Sequence, residues 1–151
     1  MKIEVRPLAF DHLITMKTKR LKSDWQEPYH EMEEFILNEE LYKNGPVFFS
    51  FEKDGDDEEK GFFTYYLPIS GPAETREDSE FNYLAKFRLE QALALRQADQ
   101  EIDINEAEKK LRHYALKQNI ILDDKVFYVL LDVYGEFIID LYIPISDRGV
   151  A

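Results

Sequence analysis

Two stretches of this chain repeat each other, and that repetition constrains the fold more than any other feature. Val47 to Ser70 reads VFFSFEKDGDDEEKGFFTYYLPIS, and Val126 to Ser146 reads VFYVLLDVYGEFIIDLYIPIS. Both open on Val-Phe-aromatic, pass through a polar turn, return as an apolar strand and close on Pro-Ile-Ser. Tyr66 matches Tyr142 and Pro68 matches Pro144, an offset of 76 residues in a chain of 151. A period of half the chain means two copies of one supersecondary unit, each unable to bury its apolar surface alone.

The segments ahead of each hairpin complete that unit. From Leu8 to Lys22, Ile14, Met16 and Thr18 alternate with Thr15, Lys17 and Lys19, a strand pattern. Pro28 sits where a first helical turn tolerates it, and Tyr29, Met32, Phe35 and Ile36 then share one face, with Glu27, Glu31, Glu33 and Glu34 mostly on the other. This predicts a helix from about Pro28 to Asn38. Asn44-Gly45-Pro46 leads into the first hairpin, whose loop, Glu52 to Lys60, reads as long and acidic. Ser70 to Glu80 is a linker without periodicity.

The second copy begins with Phe81 to Ala98, where Tyr83, Ala85, Phe87 and Leu89 alternate with Leu84, Lys86, Arg88 and Glu90. Asn105 and Glu108 form a cap-like start, and Ala107, Leu111, Tyr114 and Ala115 mark an amphipathic helix from Glu106 to about Gln118, with Asn119 as the stop. The second hairpin should turn at Tyr134-Gly135. Each half is therefore strand, helix, strand, strand. The expected fold is α+β: tandem βαββ repeats forming a pseudo-twofold antiparallel-sheet domain with one main helix per repeat, because units with one helix each must pack together to complete a core. The expected organisation is a single domain over 1–151, with repeat one at 3–70, a linker at 71–80 and repeat two at 81–147.

Charge and composition narrow the function. A formal charge of −12 argues against nucleic acid as a partner, which draws on Lys and Arg facing phosphates. The absence of cysteine excludes disulfides, thiolate catalysis and Cys-ligated zinc. No stretch has the length of a membrane span and the N-terminus has no signal-peptide pattern, so the chain reads as cytoplasmic.

Chemical motifs are few. Asp54 to Glu59 is acidic, but counting from Asp54 the sixth place holds Glu59 instead of glycine and the twelfth holds Tyr65 instead of glutamate, so a calcium loop is not expected. His12, His30 and His113 have no paired-ligand spacing. There is no nucleophile elbow, phosphate-binding loop or dinucleotide fingerprint. The sequence therefore leads to no catalytic residue, no metal and no cofactor.

Aromatic residues are the better candidates. Tyr66 and Tyr142 hold the same place in each repeat, where they are either paired walls for a flat or cationic ligand or inter-repeat core. Asp140 shares a strand face with Ile138 and Tyr142; a carboxylate there would pair with a ligand cation, or else face solvent or an arginine. Trp25, the only tryptophan, precedes the first helix either as a lid over a ligand or as a staple onto the helix.

The repeat architecture, the strand Asp140-Leu141-Tyr142-Ile143-Pro144-Ile145 and the Gly45-Pro46 step before the first hairpin together resemble the GyrI-like family of effector-binding domains. The resemblance covers Ile3 to Ser146. It implies an aromatic cleft between the two repeats that binds small, hydrophobic and often cationic molecules, with Tyr66, Tyr142, Tyr128 and Trp25 as walls. Relatives commonly carry a glutamate at or next to the position of Tyr128, where this chain has no acidic residue; Asp140 is then the charged group. Relatives fused to a DNA-binding domain carry it ahead of this unit, and here about seven residues precede the first strand, so the stand-alone form is expected. The expectation is a non-enzymatic binding protein for a small hydrophobic or cationic ligand. A protein-interaction adaptor or inhibitor docking a basic partner through an acidic surface is the alternative, and a small hydrolase a third reading.

Overall fold

Alternation and helical spacing set the element order, and a computed structural model carries it through residues 2–96, 104–133 and 136–146. β1 spans Lys2–Leu21 and, after a short 3-10 turn at Lys22–Asp24, α1 spans Gln26–Asn38; β2 (Phe48–Asp54) and β3 (Asp57–Pro68) follow. Then come β4 (Phe81–Arg96), α2 (Ile104–Lys117), β5 (Val126–Val133) and β6 (Glu136–Pro144). All strand pairs described below are antiparallel, and the fold is α+β, with two α-helices among the described residues. The expected turn at Tyr134-Gly135 and the expected end of β4 at Ala98 lie outside the described residues.

Contacts divide the chain into two units, Ala9–Phe87 and Met1–Leu8 with Arg88–Ala151. They are called here the α1 unit and the α2 unit. The start of β1, residues 2–8, belongs to the α2 unit, and the start of β4, residues 81–87, belongs to the α1 unit.

In the α1 unit β3 lies between β1 and β2. Register fixes which side chains share a face, since directly paired residues point the same way. One face carries Ile14 and Met16 from β1, Phe63, Tyr65 and Leu67 from β3, and Phe49 and Phe51 from β2, all buried. α1 covers this face with Tyr29, Met32 and Ile36, at the i, i+3, i+7 spacing of an apolar stripe. Two contacts fasten it: Arg20 reaches from β1 to Glu27 at 2.8 Å and Glu31 at 2.9 Å, and the Tyr65 hydroxyl donates to the carbonyl of Trp25. The opposite face carries Leu13 and Thr15, Tyr66 and Thr64, and Phe48 and Ser50, and no helix of this unit covers it.

The first hairpin differs from the expected long acidic loop. β2 runs to Asp54 and β3 resumes at Asp57, so only Gly55 and Asp56 turn the chain, with Gly55 at φ 62°. Gly55-Asp56 is a two-residue hairpin signal because glycine enters positive φ without strain. The register slips between Lys53 and Asp54, a bulge beside the turn. Opposite it, Gly61 has no room for a side chain: a Cβ there would stand 2.3 Å from the Glu52 carbonyl oxygen.

In the α2 unit β6 lies between β4 and β5. One face holds Leu93 and Leu95, Leu141 and Ile143, and Tyr128 and Leu130, covered by α2 through Ala107, Leu111 and Ala115. The other holds Ala92 and Ala94, Asp140 and Tyr142, and Phe127 and Val129.

The two helices end alike. The backbone N–H of Leu41 bonds the carbonyl of Ile36 at 3.1 Å across Glu40 at φ 56°, and that of Ile120 bonds Ala115 at 2.9 Å across Asn119 at φ 58°. This is the Schellman closure, in which a left-handed residue lets the chain turn back to satisfy the last carbonyls. Beyond the caps the matching continues: Asn44 bonds Pro68 as Asp123 bonds Pro144, Ile69 bonds His12 as Ile145 bonds Gln91, and Ser70 bonds Tyr42 as Ser146 bonds Ile121. The helices and the first hairpin strands correspond at an offset of 79 residues, the last strands at 76. The difference matches the slip at Lys53/Asp54, since β5 and β6 pair without one from Phe127 to Val133.

Candidate functional site

Of the sequence-derived candidates, Tyr142 and Asp140 come together on the sheet face of the α2 unit opposite to α2, which no helix among the described residues covers. Tyr142 lies across from Ala94 on one side and Phe127 on the other, and Asp140 lies directly across from Val129. Asp140, 8% exposed, is the only buried charged residue among the described residues. Burial pushes the Tyr142 hydroxyl above its ordinary pKa; Arg6 and Arg96 oppose that shift, while Asp140 and Glu4 add to it. Glu4 sits among three cations, with Arg6 at 3.6 Å, Lys2 at 3.8 Å and Arg96 at 3.9 Å. The buried tyrosine thus feels groups of both signs, the carboxylate of Asp140 among them.

Val129 is next to Tyr128, where the family resemblance puts a glutamate. The carboxylate of this chain stands instead on the paired strand, one cross-strand step away at Asp140.

Tyr66 occupies the corresponding face of the α1 unit. Its ring stacks on Phe48 at 4.7 Å and 10°, and Phe87 meets both rings at 5.0 Å. Phe10 stacks on the far side of Phe48 at 5.1 Å. Burial raises the Tyr66 hydroxyl, and a hydrogen bond with Ser50 pulls it partly back. Near this cluster, His12 departs from strand geometry with φ 60°, and its Nδ1 lies 2.5 Å from the Tyr83 hydroxyl.

Trp25 and Tyr128 lie in the helix-facing layers. Trp25 stacks on Phe49 at 5.9 Å, on the face of the sheet opposite to Tyr66. Tyr128 faces α2, fully buried, its hydroxyl raised by desolvation and by Glu108. Neither shares a sheet face with the tyrosine of its own unit. The residues that sequence reasoning missed are Phe10, Phe48, Phe87 and Ser50 around Tyr66, and Glu4, Arg6 and Arg96 around Tyr142. The alternation of Ile3, Glu4, Val5 and Arg6 marks Glu4 and Arg6 as strand residues, though not which residue they face. Among the described residues no group of three or more His, Asp or Glu is arranged to hold a metal ion, and no helix is long and apolar enough to cross a membrane.

No known family matches the sequence, and no curated protein matches it. Solved structures do. The C-terminal domain of EcmrR superposes with a TM-score of 0.66 at 8% identity, over 97% of this chain and 99% of that one. EcmrR in its DNA complex gives 0.65 at 8% identity, over 95% of this chain and 57% of the longer EcmrR chain. SAV2435 bound to tetraphenylphosphonium gives 0.57 at 14% identity, over 98% and 96%. The fold is GyrI-like. At these identities the likeness establishes the fold alone.

Proposed function

We propose that this chain is a non-enzymatic GyrI-like effector-binding domain, cytoplasmic, built of two βαββ repeats at 3–70 and 81–147, and that it takes up a small hydrophobic molecule carrying positive charge. The observation that carries the reading is the buried pair Tyr142 and Asp140 on a helix-free sheet face, the only such carboxylate among the described residues. Two further observations support it. A neighbour sharing the fold over nearly its whole length was solved with a lipophilic cation, and the cap and bridge hydrogen bonds recur in both halves. In this reading apolar burial and stacking on aromatic rings supply most of the affinity, and Asp140 sets the preference for charge. Tyr66, with Phe48 and Phe87 about it, is a separate aromatic surface on the α1 unit.

The test is thermal unfolding against tetraphenylphosphonium and neutral aromatic compounds of similar size. Ligand at about 100 times its Kd stabilises by about 2.7 kcal/mol through mass action. Asp140→Asn should lose the response to the cation and keep that to neutral compounds, and Tyr142→Ala should lose both. A wild-type protein unmoved by the whole panel overturns the proposal. The second reading, an adaptor for a basic partner, is favoured by α1 and its cap, where residues 26–40 include six glutamates and neither lysine nor arginine. It predicts capture of a basic protein that survives Tyr142→Ala.

A further inference from the structure

The paired helix ends carry a feature that packing within either unit leaves unexplained. Leu37, in the last turn of α1, is 76% exposed and Tyr42, just past its cap, 77%; Leu116, in the last turn of α2, and Ile121, just past its cap, are 77% and 52% exposed. A single exposed leucine is ordinary. Here two large apolar side chains recur at matching positions across the same Schellman closure, 79 residues apart in both cases.

What differs is the charge around them. Four and three residues before Leu37 stand Glu33 and Glu34; the same places before Leu116 hold Arg112 and His113. Side chains at those spacings are neighbours on a helix surface. α1 with its cap carries six acidic residues and no Lys or Arg, whereas α2 with its cap, residues 104–119, carries Lys109, Lys110, Arg112 and Lys117 against Glu106 and Glu108. The nearest exceptions leave the signs opposed: Lys43 is held by Glu33 at 2.9 Å; on α2, Arg112 is held by Glu108 at 2.8 Å and Lys109 by Glu106 at 3.3 Å, and Asp123 and Asp124 precede Lys125, so Lys110 and Lys117 carry the surplus. In a chain of net charge −12 a helix end with a basic surplus stands out.

We infer that these ends dock on each other between copies of the chain: the acidic α1 end of one copy, with Leu37 and Tyr42, receives the basic α2 end of a second, with Leu116 and Ile121. The occupant is a second copy because the chain itself carries both members of a complementary pair, apolar in the centre and opposite in charge at the rim. The contact is head-to-tail. A dimer therefore leaves one end of each kind free, and association continues with concentration unless a ring closes. Two apolar residues a side make a small interface, which puts it in the weak, transient class.

Sedimentation equilibrium tests this without any ligand, so its outcome is independent of the small-molecule proposal. Wild-type protein should show an average mass that rises with concentration between about 10 µM and about 1 mM, as weak interfaces require, and that falls when salt is raised. Leu37→Glu alone and Leu116→Glu alone should each be monomeric, with unfolding temperatures close to wild type because both positions are exposed. Mixed together, the two variants should form a 1:1 complex, since each retains the end the other lacks. Glu34→Lys, which removes no apolar contact, should weaken wild-type association about tenfold, as expected for a reversed rim charge. A monomeric wild type throughout, a single leucine variant that still associates, or a mixture that stays monomeric would each overturn the inference.

Discussion

The faces of the two sheets that look away from α1 and α2 correspond position by position, and their side chains have diverged at several of those positions. Phe48 corresponds to Phe127 and Tyr66 to Tyr142, so the aromatic anchors are kept. Between them, the cross-strand pair Ser50 and Thr64 of the α1 unit becomes Val129 and Asp140 in the α2 unit. The α1 unit fills its face with rings: Phe10, Phe48, Tyr66 and Phe87 stack or tilt on one another. The α2 unit surrounds its tyrosine with Asp140, Glu4, Arg6 and Arg96. One scaffold thus carries a neutral, self-packed face and a charged one. The backbone and the anchors belong to folding, while the position between them is where binding chemistry can be changed.

The largest effect should come from the hairpins, where the comparison is least symmetric. Gly61→Ala puts a Cβ against the Glu52 carbonyl, the Phe51 ring and the Lys53 Cα, all within 2.9 Å, two of them backbone atoms that cannot swing away. The corresponding position in β6 is Phe137. Urea unfolding should show Gly61→Ala destabilised by about 3 kcal/mol, at the high end for overpacking. A neutral result would mean that the bulge at Lys53/Asp54 is not a constraint.

An intermediate effect concerns pH. Burial raises the hydroxyls of Tyr65 and Tyr66 in the α1 unit and of Tyr128 and Tyr142 in the α2 unit. Their folded pKa values lie above the ordinary value of 10, so the folded state keeps these protons where the unfolded state loses them. Stability from these groups is complete below pH 10 and declines as pH rises through the folded values. Phenolate absorbance should therefore appear late, together with unfolding. Asp140→Asn sharpens the comparison: it removes a negative neighbour, so Tyr142 should titrate earlier while Tyr66 is unchanged.

The smallest effect separates the two caps. Glu40 and Asn119 hold the same left-handed conformation, which a glutamate adopts at a cost and an asparagine tolerates. Glu40→Gly should raise stability by about 1 kcal/mol, and Asn119→Gly by less, measured by thermal unfolding.

These contrasts also mark what sequence could and could not disclose. The helices were legible because Tyr29, Met32 and Ile36, and Ala107, Leu111 and Ala115, keep helical spacing, and the hairpins because the chain spells them twice. The short first turn was legible in principle from Gly55-Asp56, but the charge of residues 56–60 resembled a loop, since polar strand residues beside a turn look like solvent-exposed coil. In β1 the left-handed residue His12 shifts the alternation, so that Phe10 and Leu13, three apart, serve the same face. No period-two reading anticipates that. Tyr128 and Tyr142 look equivalent in a strand that is apolar on both sides, and only the pairing of Phe127 with Tyr142 puts them on opposite faces. The partners Phe87 for Tyr66 and Arg6 for Tyr142 are set by long-range contacts that no local pattern encodes.

The division of β1 and β4 bears on how such a chain could be inherited or cut. A gene severed in the linker at 71–80 would yield a first product without Phe81, which stacks on Phe35 at 4.1 Å, and without Phe87, which closes the cluster around Tyr66. The second product would lack Glu4 and Arg6. Neither half could evolve or be produced as an autonomous piece with its site intact. A cut at 71–80 therefore parts each unit from a strand segment that belongs to it.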